Sequence, residues 1–105
     1  MDFKGKKYEI EFTKDCREEI YGIYEYISKK LVAEKSAKKL MQEMRDSVMN
    51  LSENPNIYMK IEKSDSYKRM FRRMVINNFV ILYSVDEINK KVYIAHMYYG
   101  RRDYL

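Results

Sequence analysis

Apolar and acidic residues alternate from Tyr8 to Phe12 (Tyr-Glu-Ile-Glu-Phe), and a period of two marks a strand with one wet face. Thr13 can cap the element that follows, with Asp15 in its first turn, where the helix dipole favours a negative charge. The period then lengthens. Cys16, Ile20, Ile23, Ile27 and Leu31 recur every three or four residues, which predicts a helix from about Lys14 to Lys30. Tyr21, Tyr24 and Tyr26 widen its apolar surface, and Gly22 weakens it. A second stripe, Ala37, Leu40, Met41, Met44, Val48 and Leu51, runs up to Asn54-Pro55, where proline ends it. No Gly or Pro separates the stripes. The break is placed near Val32–Ser36, and the two apolar faces predict an antiparallel helical hairpin.

From Arg69 the pattern becomes β-rich. Arg69–Ile76 and Phe79–Val85 are separated by Asn77-Asn78, residues that tolerate the left-handed conformation of tight hairpin turns. A second polar turn leads into a last strand, Val92–Tyr99. The order β-α-α-β-β-β reads as α+β, an antiparallel sheet packed on an N-terminal helical hairpin. Alternation puts Tyr93, Met97 and Tyr99 on one face of the last strand and His96 and Tyr98 on the other. By the same rule Arg69 and Arg73 share a face of their strand, and Arg72 takes the opposite one.

A chain of 105 residues has room for one domain, residues 1–105, and one core. Its 46% hydrophobic and 14% aromatic content is enough to fill that core. Eleven tyrosines without a tryptophan give much of the apolar surface a polar tip, and eight methionines make it adaptable. Cys16 is the single cysteine, which excludes an intramolecular disulfide and points to a reducing compartment. Lying on the apolar stripe, it reads as a buried structural thiol. No run approaches the roughly 18 apolar residues of a membrane helix, and charges occupy the start where a signal peptide needs its apolar stretch. The chain therefore reads as cytoplasmic, without a membrane partner.

The net charge of +5 is uneven: residues 60–73 hold Lys60, Lys63, Lys68, Arg69, Arg72 and Arg73 against Glu62 and Asp65. Such a patch suits a polyanion such as nucleic acid, and equally a solvated basic loop. One histidine and one distant cysteine make no metal-ligand set, and three isolated glycines make no phosphate loop, so neither metal nor cofactor is expected. What remains is the basic and aromatic set toward the C-terminus. Arginines can hold a phosphate at two points, and tyrosine can stack on a base. Metal-free RNA cleavage needs those parts: cations facing a pentavalent phosphorane and an acid–base pair. Each tyrosine alone is more simply strand packing. His96 is a possible acid or base, since histidine exchanges protons near neutral pH, but a core or edge histidine is the simpler reading. Arg101-Arg102-Asp103 can be no more than a charged tail.

The order of these parts resembles the RelE/ParE toxin superfamily. It runs from Arg72-Arg73 on a strand through Asn78-Phe79 at a turn and Tyr83-Ser84-Val85-Asp86 to Tyr99-Gly100-Arg101-Arg102-Asp103 at the end. The upstream strand, helical hairpin and Asn54-Pro55 also occupy the family's places. The resemblance implies a toxin of a type II toxin–antitoxin system that inhibits growth and is held inactive by a cognate antitoxin. The methionine- and tyrosine-rich surface suits an amphipathic helix. The antitoxin's C-terminal segment is therefore expected to be disordered alone and to fold on binding, across helix and sheet surface together. One branch binds the ribosome and cleaves mRNA without metal, by attack of a 2′-OH on the adjacent phosphate. Another inhibits DNA gyrase and has no catalytic site. Carried over, Arg72 or Arg73 would stabilise the transition state and Tyr99 would be the acid or base. Lys60, Lys63, Lys68, Arg69, Arg101 and Arg102 would contact nucleic acid. The Gly-Arg-Arg-Asp ending is commoner in ParE-like members, many of which carry His where this chain has Tyr99. The sequence reading places the endoribonuclease first, with gyrase inhibition and a degenerate RNA- or protein-binding module as alternatives.

Overall fold

A computed structural model describes residues 7–31 and 34–100 of the chain. The elements are β1 (Glu9–Phe12), α1 (Lys14–Leu31), α2 (Glu34–Met49), a 3-10 turn (Asn50–Ser52), β2 (Lys60–Ser64), β3 (Met70–Ile76), β4 (Phe79–Asp86) and β5 (Lys91–Tyr99). Thr13 starts α1 as expected: its Oγ1 accepts the Cys16 N–H at 3.2 Å, and its carbonyl accepts the Arg17 N–H at 3.0 Å. The same hydroxyl donates to the Ala95 carbonyl at 3.0 Å, tying the helix start to β5. The α1–α2 junction at residues 32–33 lies outside the described residues. No described helix is long and apolar enough to cross a membrane.

The α+β class holds, and the sheet is mixed, in the order β1-β5-β4-β3-β2. β2, β3, β4 and β5 pair antiparallel, whereas β1 joins β5 in parallel, Glu9 beside Lys91 and Phe12 beside Ile94. This corrects the expectation of an all-antiparallel sheet. Periodicity reports which face a residue takes, not which way its strand runs. Three reversals leave β5 antiparallel to β2, and β1 runs with β5. β2 was also absent from the sequence reading. Its Lys-Ile-Glu-Lys-Ser half-buries only Ile61, so no alternation betrays it. Its pairing with β3 is irregular, Lys60 opposite Arg72 but Ser64 opposite Met70. A charged, irregular edge strand discourages pairing with another chain.

β4 is the central strand, and Phe79–Ser84 are buried throughout. Phe79, Ile81 and Tyr83 face the helices, against Cys16, Ile27, Met44 and Val48. Val80 and Leu82 face the other way, in a second apolar cluster with Phe71 and Ala95. Each large side chain fully buried in this way contributes roughly 1.5–3 kcal/mol. Cys16 has no exposed surface; burial, aided by the Glu19 carboxylate, pushes its thiol up to about 12, as suits a structural role.

Asn77 and Asn78 both take positive φ, 48° and 69°, making the tight two-residue turn that the sequence predicts. One irregularity matters for the site. Leu82 lies opposite His96, yet Tyr83 lies opposite Ile94, so Ala95 is an extra residue, a β-bulge. The bulge shifts the alternation. Met97 and Tyr99 face the helices, while Tyr93 shares the outer side with Ala95, against the expectation that all three tyrosine and methionine positions coincide.

Candidate functional site

The three residues to which the resemblance gives a catalytic role do not converge. Arg72 points to the helix side of β3, where its Nη1 donates to the carbonyls of Tyr58 at 2.6 Å and Asn56 at 3.2 Å. The buried Tyr83 hydroxyl beside it donates to the Pro55 carbonyl at 2.7 Å. Burial pushes the Tyr83 phenol up to about 12, against the opposing pull of Arg72, so it stays a neutral donor. Together the two side chains pin residues 55–58 to the sheet. Arg73, one position on, is exposed on the opposite face, where no carboxylate among the described residues pairs with it. Tyr99 returns to the helix side but at the far end. It is packed with its ring 4.9 Å from Phe79 and 6.4 Å from Tyr26. Arg72 pairs with Tyr83 and Tyr99 with Phe79, a separation of four residues along β4, or roughly 13 Å.

Of the residues assigned to nucleic-acid binding, Arg69 is already engaged. Its Nε lies 2.8 Å from Asp65 and its Nη1 3.2 Å from Asp86. The rings of Tyr67 and Tyr93 flank its guanidinium at 5.0 and 4.9 Å. Asp65 also accepts from the Ser84 hydroxyl at 2.8 Å and from the N–H groups of Tyr67 and Arg69 at 2.8 and 2.9 Å. Burial alone would raise the Asp65 pKa. The hydrogen bonds from Arg69, Ser84 and Tyr67 outweigh it and bring the value down to about 2. Lys60 and Lys63 stand exposed on β2, and Lys68 in the turn before β3 at a φ of 67°. Arg101 and Arg102 lie outside the described residues. The basic patch thus loses Arg69 to an internal ion-pair network.

His96 stands on the outer face and has a partner that the sequence reading missed. Glu19 of α1 places Oε2 3.2 Å from His96 Nδ1 while its Oε1 accepts the Met97 N–H at 2.9 Å. β1 pairs with β5 only as far as Ile94, and this carboxylate satisfies the open edge beyond it. Tyr98 stacks beside His96 with centroids 6.1 Å apart, and Phe71 meets it edge-on at 6.2 Å. A contact spanning 77 positions leaves no local signal in the sequence.

A groove of about 690 Å³ opens between β1, α1 and α2. Ile10, Phe12, Ile20, Tyr24, Met41 and Met44 form its apolar lining, with Arg17, Lys38 and Arg45 beside them and Glu11 as the one acid. Such a groove fits an amphipathic segment with an acidic flank.

Solved structures share this architecture. A chain of the chromosomal ParDE system of P. aeruginosa superposes with a TM-score of 0.71 at 15% identity, over 92% of this chain and 100% of that one. The RelBE2 toxin–antitoxin complex of Mycobacterium tuberculosis matches with a TM-score of 0.60 at 14% identity, over 92% and 94% of the two chains. The archaeal RelE–RelB complex of Pyrococcus horikoshii gives 0.54 at 15%, over 92% and 99%. Identities this low speak for the fold alone. No curated protein matches the sequence. The family model of the ParE toxin of type II toxin–antitoxin systems matches residues 10–104. The chain, with its mixed sheet and helical pair, therefore belongs to the ParE toxin family of type II toxin–antitoxin systems.

Proposed function

We propose that this toxin acts by binding DNA gyrase rather than by cutting mRNA, and that an antitoxin segment silences it from the groove between β1, α1 and α2. The observation that carries the reading is the dispersal of Arg72, Arg73 and Tyr99. A phosphorane needs donors about 3 Å from its oxygens, placed before the reaction begins. Arg72 spends a donor nitrogen on two carbonyls, Arg73 looks away from Tyr99, and Tyr99 is packed between aromatic rings. Binding to a protein target makes no such demand. One observation favours the ribonuclease alternative: His96, oriented by Glu19, lies on the outer face in the same cross-strand row as Arg73.

The experiment uses purified toxin in two assays, gyrase supercoiling and cleavage of ribosome-bound message in a translation extract. Supercoiling is expected to stop at micromolar toxin with the message intact, and Tyr99→Phe is expected to change little. Message cleavage that disappears in Arg73→Ala or His96→Ala would overturn the gyrase reading and restore the ribonuclease. Normal growth during confirmed soluble expression without antitoxin would leave only a binding module.

A further inference from the structure

We infer that the sheet face turned away from the helices is a protein-docking surface whose partner presents a carboxylate among apolar side chains. The inference deepens the gyrase reading and rests on it. Two cross-strand rows build the face: Arg73, Leu82 and His96 in one, Val75, Val80 and Tyr98 in the other. Leu82 and Val80 form a closed floor, 2% and 6% exposed. Above that floor Val75 stands 60% exposed, an aliphatic side chain presented to water beside the exposed Arg73. The apolar members of this cluster all come from the strands, and α1 reaches the face through Glu19, against His96 on β5.

Charge decides the chemistry of the partner. Arg69 has two aspartates and Arg72 two carbonyls, but Arg73 has no such partner among the described residues. An exposed arginine among apolar side chains is the type of residue that anchors a protein interface once a carboxylate desolvates it. A nucleic-acid backbone fits less well. Duplex DNA carries a charge about every 1.7 Å along its axis and is gripped by several cations together. Here the same-face neighbours of Arg73 on β3 and β4 are Phe71, Val75 and Leu82, and Arg69 is neutralised.

The test compares wild-type toxin with Arg73→Glu, Val75→Asp and the exposed-helix control Lys39→Glu in the gyrase supercoiling assay. Arg73→Glu and Val75→Asp are each expected to raise the inhibitory concentration about tenfold or more, as at an interface centre. The control is expected to match wild type, and unchanged melting temperatures establish that all variants are folded. If wild type inhibits and both face variants inhibit equally well, the docking surface is wrong while the gyrase reading stands. Loss with Arg73→Glu but not with Val75→Asp would indicate a phosphate backbone and overturn the protein partner. A wild type without effect on gyrase overturns the target reading and this inference with it.

Discussion

A guanidinium carries five N–H donors, and the partners those donors already have decide what an arginine can do elsewhere. Arg72 and Arg73 are adjacent, yet strand alternation sends one to the helix side and the other to solvent. Removing Arg72 takes the donor from the half-buried Tyr58 carbonyl, beside a buried phenol, and from the exposed Asn56 carbonyl. Hydrogen bonds from a charged donor are worth about 1.5–3 kcal/mol, so Arg72→Ala is expected to lower unfolding stability by about that amount in a urea titration. Arg73→Ala, at an exposed position, is expected to stay within about 0.5 kcal/mol of wild type in the same titration. Equal losses at the two positions would contradict the division of labour. Tyr83→Phe tests the same segment from the other side. It leaves the Pro55 carbonyl unpaired in a buried setting, at a cost of about 1–3 kcal/mol.

At the scale of elements, the turn from Asp65 to Arg69 is fastened to β4 by one carboxylate with four donors, from Arg69, Ser84 and two backbone N–H groups. Asp65 has a depressed folded-state pKa of about 2, below the ordinary value near 3.9 of an unfolded chain. A depressed carboxylate contributes stability that is fully present above the unfolded value. That stability is lost as pH falls through the folded one. Acid titration followed by circular dichroism is therefore expected to show stability falling between about pH 4 and pH 2, with Asp65→Asn flattening that part of the curve. An unchanged slope would mean that other carboxylates carry the acid sensitivity. The turn also shows where legibility ended. The stripes of α1 and α2, the Asn77-Asn78 turn and the strands β3 to β5 were readable because each rests on local periodicity or local backbone preference. β2 was not, since one half-buried isoleucine makes no pattern, nor was the direction of β1, which rests on its pairing with the distant β5. The site suffered most from the bulge at Ala95. One extra residue moved Tyr93 away from Met97 and Tyr99 and undid a face assignment that strict alternation had made.

The molecule as a whole has two unlike surfaces on opposite sides of one sheet. The outer face is floored by Val80 and Leu82 and carries the exposed Arg73 and Val75; the groove at the β1 edge is open, methionine-lined and flanked by three cations. An antitoxin that silences the toxin from the groove would be recognised by apolar burial and by charge, and the two contributions separate experimentally. Apolar burial is nearly indifferent to ionic strength, whereas attraction between exposed charges weakens once salt shortens the screening length to about 10 Å at 0.1 M. Binding of the antitoxin's C-terminal segment is therefore expected to weaken with added salt. In Lys38→Glu/Arg45→Glu it is expected to be about tenfold weaker at low salt and to lose most of that salt dependence, because rim charges act mainly through long-range attraction. Met41→Ala should do the reverse, weakening binding at every salt concentration while leaving the slope alone. Titration calorimetry at two ionic strengths reads both effects. Hydrogen exchange on the complex should show new protection in α1, α2 and β1 together, with the segment unprotected when free. Protection confined to β2 and β3, with affinity untouched by the groove variants, would move the antitoxin to the outer face and put it in direct competition with the target.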